Sequence, residues 1–153
     1  MSSADWPAVE RIYAQGLATG VATFETDVPS WEDWDTTHLP EPRLVAGDED
    51  AVVGWIAVSR VSRRGVYAGV VEHSVYVDED ARGRGVGRAL LEALVAVAPR
   101  HGIWTIQTSI IASNEASLAL HAAAGFRVVG RRERIAQRDG VWHDTVLLEL
   151  RLP

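Results

Sequence analysis

The sequence predicts an α/β fold in which helices flank one mixed, largely antiparallel sheet. Three observations carry this expectation. Strand-like apolar stretches fall at 43–59, 67–77, 103–111 and 126–152. Helix-spaced apolar residues fill 5–18, 86–100 and 114–124. A glycine-rich stretch at 82–87 joins one of the strands to one of the helices.

The elements follow in chain order. Ser2, Ser3 and Asp5 offer N-caps, and Pro7 suits a first helical turn. Val9, Ile12, Tyr13 and Leu17 recur at helical spacing, which predicts a helix over about 5–18. Ser30 with Asp33 resembles a capping pair before Trp31 and Trp34, so a short second helix is expected. Arg43–Ala46 and Ala51–Ser59 read as strands joined at Gly47-Asp48-Glu49-Asp50. Tyr67–Val77 reads as one long strand. Arg82–Gly87 opens a helix to about Arg100, with Val86, Leu90, Leu94 and Val97 on one face and Pro99 and Gly102 ending it. Ile103–Ile111 reads as a buried strand, and Asn114–Ala124 as a helix closed by Gly125. Phe126–Ala136 and Val141–Leu152 form a final hairpin across Asp139-Gly140. No repeat or linker interrupts residues 1–153, which read as a single domain.

Composition narrows the function. Apolar residues at 47% and charged residues at 24% describe an ordinary globular chain. No apolar run approaches the ~18 residues of a membrane span. The start, MSSADWPAVE, has no basic-then-apolar leader. The absence of cysteine removes disulfides, thiolate metal sites and cysteine nucleophiles. A cytoplasmic location is the expectation. All 15 basic residues are arginine, so a lysine Schiff base and a Walker-type phosphate lysine are excluded. The net charge of −6 is uneven: residues 1–59 carry 2 Arg against 11 acids, and residues 60–153 carry 13 Arg against 10. A nucleic-acid binder is basic over a broad face. One Arg-rich half on an acidic chain suits a compact anionic ligand instead, with no nucleic acid and no membrane as partner. His38, His73, His101 and His143 show no ligand spacing, so no metal is expected.

Arg82-Gly83-Arg84-Gly85-Val86-Gly87-Arg88 lies between a strand and a helix. Glycines let backbone N–H groups crowd round an anion, and a helix N-terminus adds unpaired donors and the positive end of its dipole. The physical reading is a pyrophosphate site. Neither the dinucleotide-binding glycine spacing nor a phosphate-loop lysine is present.

Arg-x-x-Gly-x-Gly at Arg82–Gly87, preceded by Ser74-Val75-Tyr76-Val77, resembles the acetyl-CoA motif of the GNAT N-acetyltransferases. Asn114-Glu115-Ala116-Ser117-Leu118-Ala119-Leu120-His121 and Gly125-Phe126 resemble the next motif of that superfamily. Ala22–Thr26, Val71–Val77, Leu120-His121 and Gly140–Asp144 are most similar to its phosphinothricin and methionine sulfoximine acetyltransferase branch. The resemblance implies a GNAT-type sheet whose first N-terminal strand is missing here, or lies upstream of the given start. It implies acetyl-CoA as co-substrate and a small amino-acid-like amine as acceptor. It also implies cofactor contacts from Val75, Tyr76, Val77, Arg82, Gly83, Arg84, Gly85, Val86, Gly87, Arg88, Asn114 and Ser117. A catalytic Glu falls at Glu72, and in this branch a His falls at His121, where most of the superfamily has a Tyr acting as general acid.

Residue chemistry runs alongside. Strand alternation places Glu72, Ser74 and Tyr76 on one face and Val71, His73, Val75 and Val77 on the other. Glu72 is the candidate base for the incoming ammonium. His121 is the candidate acid, with Tyr76 the alternative. Phe24, Tyr67 and Trp142 are candidate pocket walls. Arg60, Arg63 and Arg64 are candidate anchors for a substrate carboxylate. A second copy of the chain is carried as a candidate partner. Two other readings stay open: acetylation of a protein N-terminus or other metabolite amine, and a silent acetyl-CoA-binding module.

Overall fold

The computed structural model describes residues 1–48 and 51–153. A single 3₁₀ turn at Ser3–Asp5 leads into α1 (Trp6–Ala18). Ser2 and Asp5 cap the turn, with the Ser2 amide donating to Asp5 Oδ2 at 2.7 Å. Helix α2 (Trp31–Thr37) starts at Ser30, whose side chain accepts from the Asp33 amide as the pairing predicts. The strands are β1 (Arg43–Asp48), β2 (Ala51–Arg60), β3 (Val70–Val77), β4 (Thr105–Ile111), β5 (Arg127–Arg138) and β6 (Val141–Arg151). Helix α3 (Val86–Val97) lies between β3 and β4, and α4 (Glu115–Ala123) between β4 and β5. Among the described residues no strand precedes α1, and the sheet begins at Arg43. The expected turn at 47–50 falls partly outside the described residues.

The sheet runs β1-β2-β3-β4-β6-β5. Every pairing is antiparallel except β3 with β4. Both faces are covered. Ile56, Val58, Val71 and Ile106 pack against Leu90, Leu91 and Leu94 of α3. Trp55 and Ala57 pack on the opposite face against Val9 and Ile12 of α1 and Trp34 of α2. Strand β2 therefore buries five residues in succession, Gly54–Val58, rather than alternating.

The strand expected over Tyr67–Val77 is shorter than its pattern. Gly65–Tyr67 forms a 3₁₀ turn, and β3 begins only at Val70. The Arg100 boundary is likewise reached by a change of helix type, since α3 stops at Val97 and Ala98–His101 is 3₁₀. The final hairpin turns on Asp139 and Gly140, at φ 51° and 78°, the left-handed pair that a two-residue turn requires.

Candidate active site

Strands β3 and β4 pair only over Val70–Glu72 and Thr105–Gln107, and beyond that rung they diverge. A cavity of about 530 Å³ opens in the divergence, between Glu72–Val77 and Thr108–Ile111, with Ala22–Phe24, Ser117 and His121 also on its wall. The Asp78 amide donates to Val53 of β2, whereas the Gly69 carbonyl accepts from β4 residues. Strand alternation therefore aims the N–H and C=O of Val75 and Val77 toward the β4 side, where no ladder partner follows Glu72. An extended amide-bearing arm laid in this gap meets the same donors and acceptors that a pairing strand would.

The glycine loop lies past the Val77 end of the cavity. Gly87 is buried, with the position of a Cβ only 3.5 Å from a Val77 methyl and 3.1 Å from Leu120. Gly83 and Gly85 have φ of 73° and 82°, and no atom lies within 4 Å of where either Cβ would be. Gly85 is the N-cap of α3 and offers no side chain to its first-turn amides. Those amides remain free for an anion. Arg82 and Arg84 are exposed beside them. The Arg88 side chain is paired with Glu92 at 2.7 Å. A phosphate-bearing group fits this donor set, which consists of backbone N–H groups and guanidinium charge on open ground.

Glu72 stands at the point of divergence, half-buried on the cavity wall. Gln107 Nε2 donates to its Oε2 at 3.4 Å. No arginine pairs with it among the described residues, so its carboxylate is available to a cation in the cavity. Tyr76, two rungs on, packs beneath α1. Its ring stacks on Trp55 at 4.9 Å and meets Tyr13 edge-on at 4.9 Å. Burial pushes the Tyr76 phenol well above its usual range, and the Tyr13 and Thr23 side chains lie beside it.

His121 is almost fully buried, 1% exposed. Its Nδ1 lies 2.6 Å from the Ser117 carbonyl, which can only accept, so Nδ1 carries the hydrogen. Its Nε2 lies 3.1 Å from Nε2 of His73. Burial holds His121 below the ordinary histidine range and His73 further down, to about 3, with the neighbouring ring adding to the effect on His73. Both rings are therefore neutral near pH 7. His73 donates through Nε2 to His121 Nε2, which leaves His73 Nδ1 without a partner. The ring nitrogen expected to supply a proton is an acceptor here. The sequence analysis assigned His73 no part in this.

Asn114 is fully engaged. Its Oδ1 accepts from the Ser117 amide at 3.1 Å, and its Nδ2 donates to the Val21 carbonyl at 3.2 Å. It ties α4 to the loop that roofs the cavity. Arg138 grips the same loop from β5, donating to the Gly20 and Thr23 carbonyls, with its guanidinium 6.0 Å from the Phe24 ring centroid. Phe24 is therefore a wall residue, as expected.

Four expectations need correction. Tyr67 lies outside the cavity, 44% exposed in the turn before β3, with Arg64 over its ring. The chain turns there instead of extending, so the residue never reaches the wall. Trp142 is exposed on the β6 edge under Arg134, not on the wall. Arg60 and Arg63 line a separate hollow with Thr36 and His38. The arginine on the cavity wall is Arg132, which the sequence analysis did not single out.

Asp144 was also missed as a shaping residue. Between Arg132–Thr145 and Ala136–His143 the β5–β6 register shifts, and Arg134 adopts φ 51°. Asp144 clamps this bulge: it accepts from the Arg134 amide at 2.8 Å and from Arg131 Nε and Nη2 at 2.9 and 2.6 Å. The bulge carries Ile135 and Ala136 onto the cavity wall.

Among the described residues no helix is long and apolar enough to cross a membrane, and no three His or carboxylate groups are grouped to hold a metal.

Residues 6–126 match the acetyltransferase (GNAT) family. The chain is 32% identical to the L-methionine sulfoximine/L-methionine sulfone acetyltransferase of Pseudomonas aeruginosa, over 97% of this chain and 90% of that one. It is 36% identical to the phosphinothricin N-acetyltransferase of Alcaligenes faecalis, over 95% of this chain and 77% of that one. The fold superposes on a GNAT superfamily phosphinothricin acetyltransferase from Sinorhizobium meliloti, solved in complex with AcCoA. That match has a TM-score of 0.88 and 32% identity, covering 99% of this chain and 85% of that one.

Proposed function

The chain belongs to the acetyltransferase (GNAT) family, and from that premise we propose that it transfers the acetyl group of acetyl-CoA to the amine of a small amino-acid-like substrate. Its relatives act on methionine sulfoximine, methionine sulfone and phosphinothricin, and that is the substrate class proposed here. The observation that carries the reading is the open rung. Two strands part at Glu72, and unpaired backbone follows on the wall leading toward a glycine loop.

Acetyl-CoA supplies an activated acetyl group as a thioester. Residues 83–88 hold its phosphates through backbone N–H groups, with Arg82 and Arg84 adding charge. The backbone of Val75 and Val77 holds its arm, and Tyr76, Asn114 and Ser117 shape the walls beside it. Glu72 takes the proton from the substrate ammonium, since only a neutral amine has a lone pair to attack with. No cysteine exists to carry the acetyl group, so the transfer is direct. A thiol with an ordinary pKa of about 8.5 departs readily near neutral pH. His121 accordingly serves, with His73, to hold the floor under the reacting groups more than to supply a proton.

The same reading covers residues 1–153 as one catalytic unit that works in the cytoplasm and pairs with a second copy. The support for pairing is the β5 edge and the neighbouring turn, which expose Val128, Val129, Ile135 and Val141. Analytical ultracentrifugation and cell fractionation test these two points. The activity itself is tested by thiol release from acetyl-CoA with a panel of amines. Release dependent on an amino-acid-like amine supports the reading. Binding of acetyl-CoA without release for any amine would make the chain a silent binding module.

A further inference from the structure

Arg132 stands opposite Thr145 in the β5–β6 ladder, on the cavity wall. Its Nε donates to Thr145 Oγ1 at 3.2 Å, and its Nη2 donates to Ser109 Oγ at 2.5 Å. Two neutral hydroxyls thus fix the direction of the guanidinium without neutralising it. Arg11, Arg43, Arg88, Arg127 and Arg131 each have a carboxylate partner, whereas no carboxylate pairs with Arg132 among the described residues. A guanidinium has five N–H donors in a planar fork. Two are used here, and the others remain for an anion.

The opposite charge on the same wall is Glu72. It faces Gln107 on β4, and Ser109 follows two residues later on the same face of that strand. The two anchor points are therefore roughly 7 Å apart along the strand. An α-amino acid carries its ammonium and carboxylate two bonds apart, and a charge-assisted hydrogen bond adds about 2.8 Å at each end. A molecule of that kind spans the separation, with its ammonium at Glu72 and its carboxylate at Arg132.

Resting on the acetyl-transfer reading above, we propose that Arg132 binds the substrate's carboxylate, so that the site selects α-amino acids with a free carboxylate over their amides. Arg132 is then a specificity-determining residue, and Ser109 and Thr145 position it.

The test compares L-methionine sulfone with its carboxamide, in the wild type and in Arg132→Gln and Arg132→Lys. The carboxamide's amine is the less basic of the two and arrives more often neutral, so intrinsic reactivity favours it. Any preference for the acid must come from the site. A hydrogen-bonded charge pair predicts a wild-type preference of about 10–100-fold in kcat/KM for the acid. Arg132→Gln should collapse that ratio toward one, mainly through KM for the acid. Arg132→Lys should keep part of it. Thermal melts of both variants separate this from a loss of folding, because Arg132 also ties β4 to β5 and β6. A ratio that survives in folded Arg132→Gln overturns the proposal. A wild type that takes the carboxamide as well as the acid overturns it while leaving acetyl transfer standing. Turnover of neither compound, nor of any amine in the wider panel, overturns both readings.

Discussion

The side-chain amide of Gln107 lies 3.4 Å from the Glu72 carboxylate, across the last rung at which β3 and β4 pair. The bond fixes the carboxylate at the mouth of the divergence without adding charge. Its partner is neutral, so the carboxylate keeps its full attraction for an ammonium. An arginine at 107 would cancel that attraction, and Gln107→Arg is expected to raise KM for the amine substrate much more than KM for acetyl-CoA. Steady-state kinetics with each substrate varied in turn checks this.

Gly85 carries the phosphate part of the account. Its φ of 82° is strained for any side chain and worst for a β-branched one. Space is not the obstacle, since nothing lies within 4 Å of the added Cβ. Acetyl-CoA should raise the melting temperature of the wild type, because a ligand at 100 times its Kd stabilises by about 2.7 kcal/mol. Gly85→Val should lose most of that rise while losing only about 1–2 kcal/mol of its own stability. Differential scanning fluorimetry with and without acetyl-CoA measures both. A full ligand shift in Gly85→Val would put the phosphates elsewhere.

Gly16 lets α1 sit on Tyr76. A Cβ there would lie 2.5 Å from the Tyr76 ring, and that ring is wedged between Trp55 and Tyr13. Gly16→Ala improves helix propensity yet is expected to destabilise by about 1–3 kcal/mol through overpacking. It should also slow turnover, because Tyr76 is on the cavity wall. Urea unfolding together with the amine assay tests the pair of effects. A more stable variant of normal activity would mean that the helix moves away freely.

The buried histidines predict acid sensitivity. His73 is depressed from 6.5 to about 3, so the native state stays neutral where the unfolded chain binds a proton. Its contribution to stability is complete above pH 6.5 and is lost as pH falls from there toward 3. The slope approaches about 1.4 kcal/mol per pH unit for one group. His121 and His38 are lowered as well and act in the same direction. Urea midpoints should therefore fall between pH 7 and pH 5, and they should fall less steeply in His73→Phe. Equal slopes in both proteins would contradict the neutral assignment of the pair.

Much of this was legible in the sequence because it depends on local pattern. Ser30 and Asp33 announced α2, and the stretch from Arg82 to Gly87 announced the approach to α3. Glu72 could be placed from alternation alone, since period two holds along β3. What stayed hidden depends on distance in space. Arg132 lies in an Arg-rich stretch like any solvated edge, and only the β4–β6–β5 ladder brings it to Ser109. Asp144 reads as an ordinary strand residue until the bulge it clamps is visible. His73 and His121 are 48 residues apart, and their contact follows from how α4 packs over β3. Tyr67 misled because an apolar run at a strand's start looks the same whether the chain extends or turns.

The central claim is that Glu72 accepts the substrate's proton at the divergence of β3 and β4. The most direct measurement is the pH–rate profile of Glu72→Gln with acetyl-CoA saturating. The glutamine keeps the shape and loses the basic oxygen. The account predicts a fall of about 10²–10⁴ in kcat at neutral pH, little change in acetyl-CoA affinity, and a defect that shrinks as rising pH supplies neutral amine. His121→Ala should cost less. A small loss in Glu72→Gln with a profile parallel to the wild type's would contradict the claim and leave Glu72 a structural residue of the sheet.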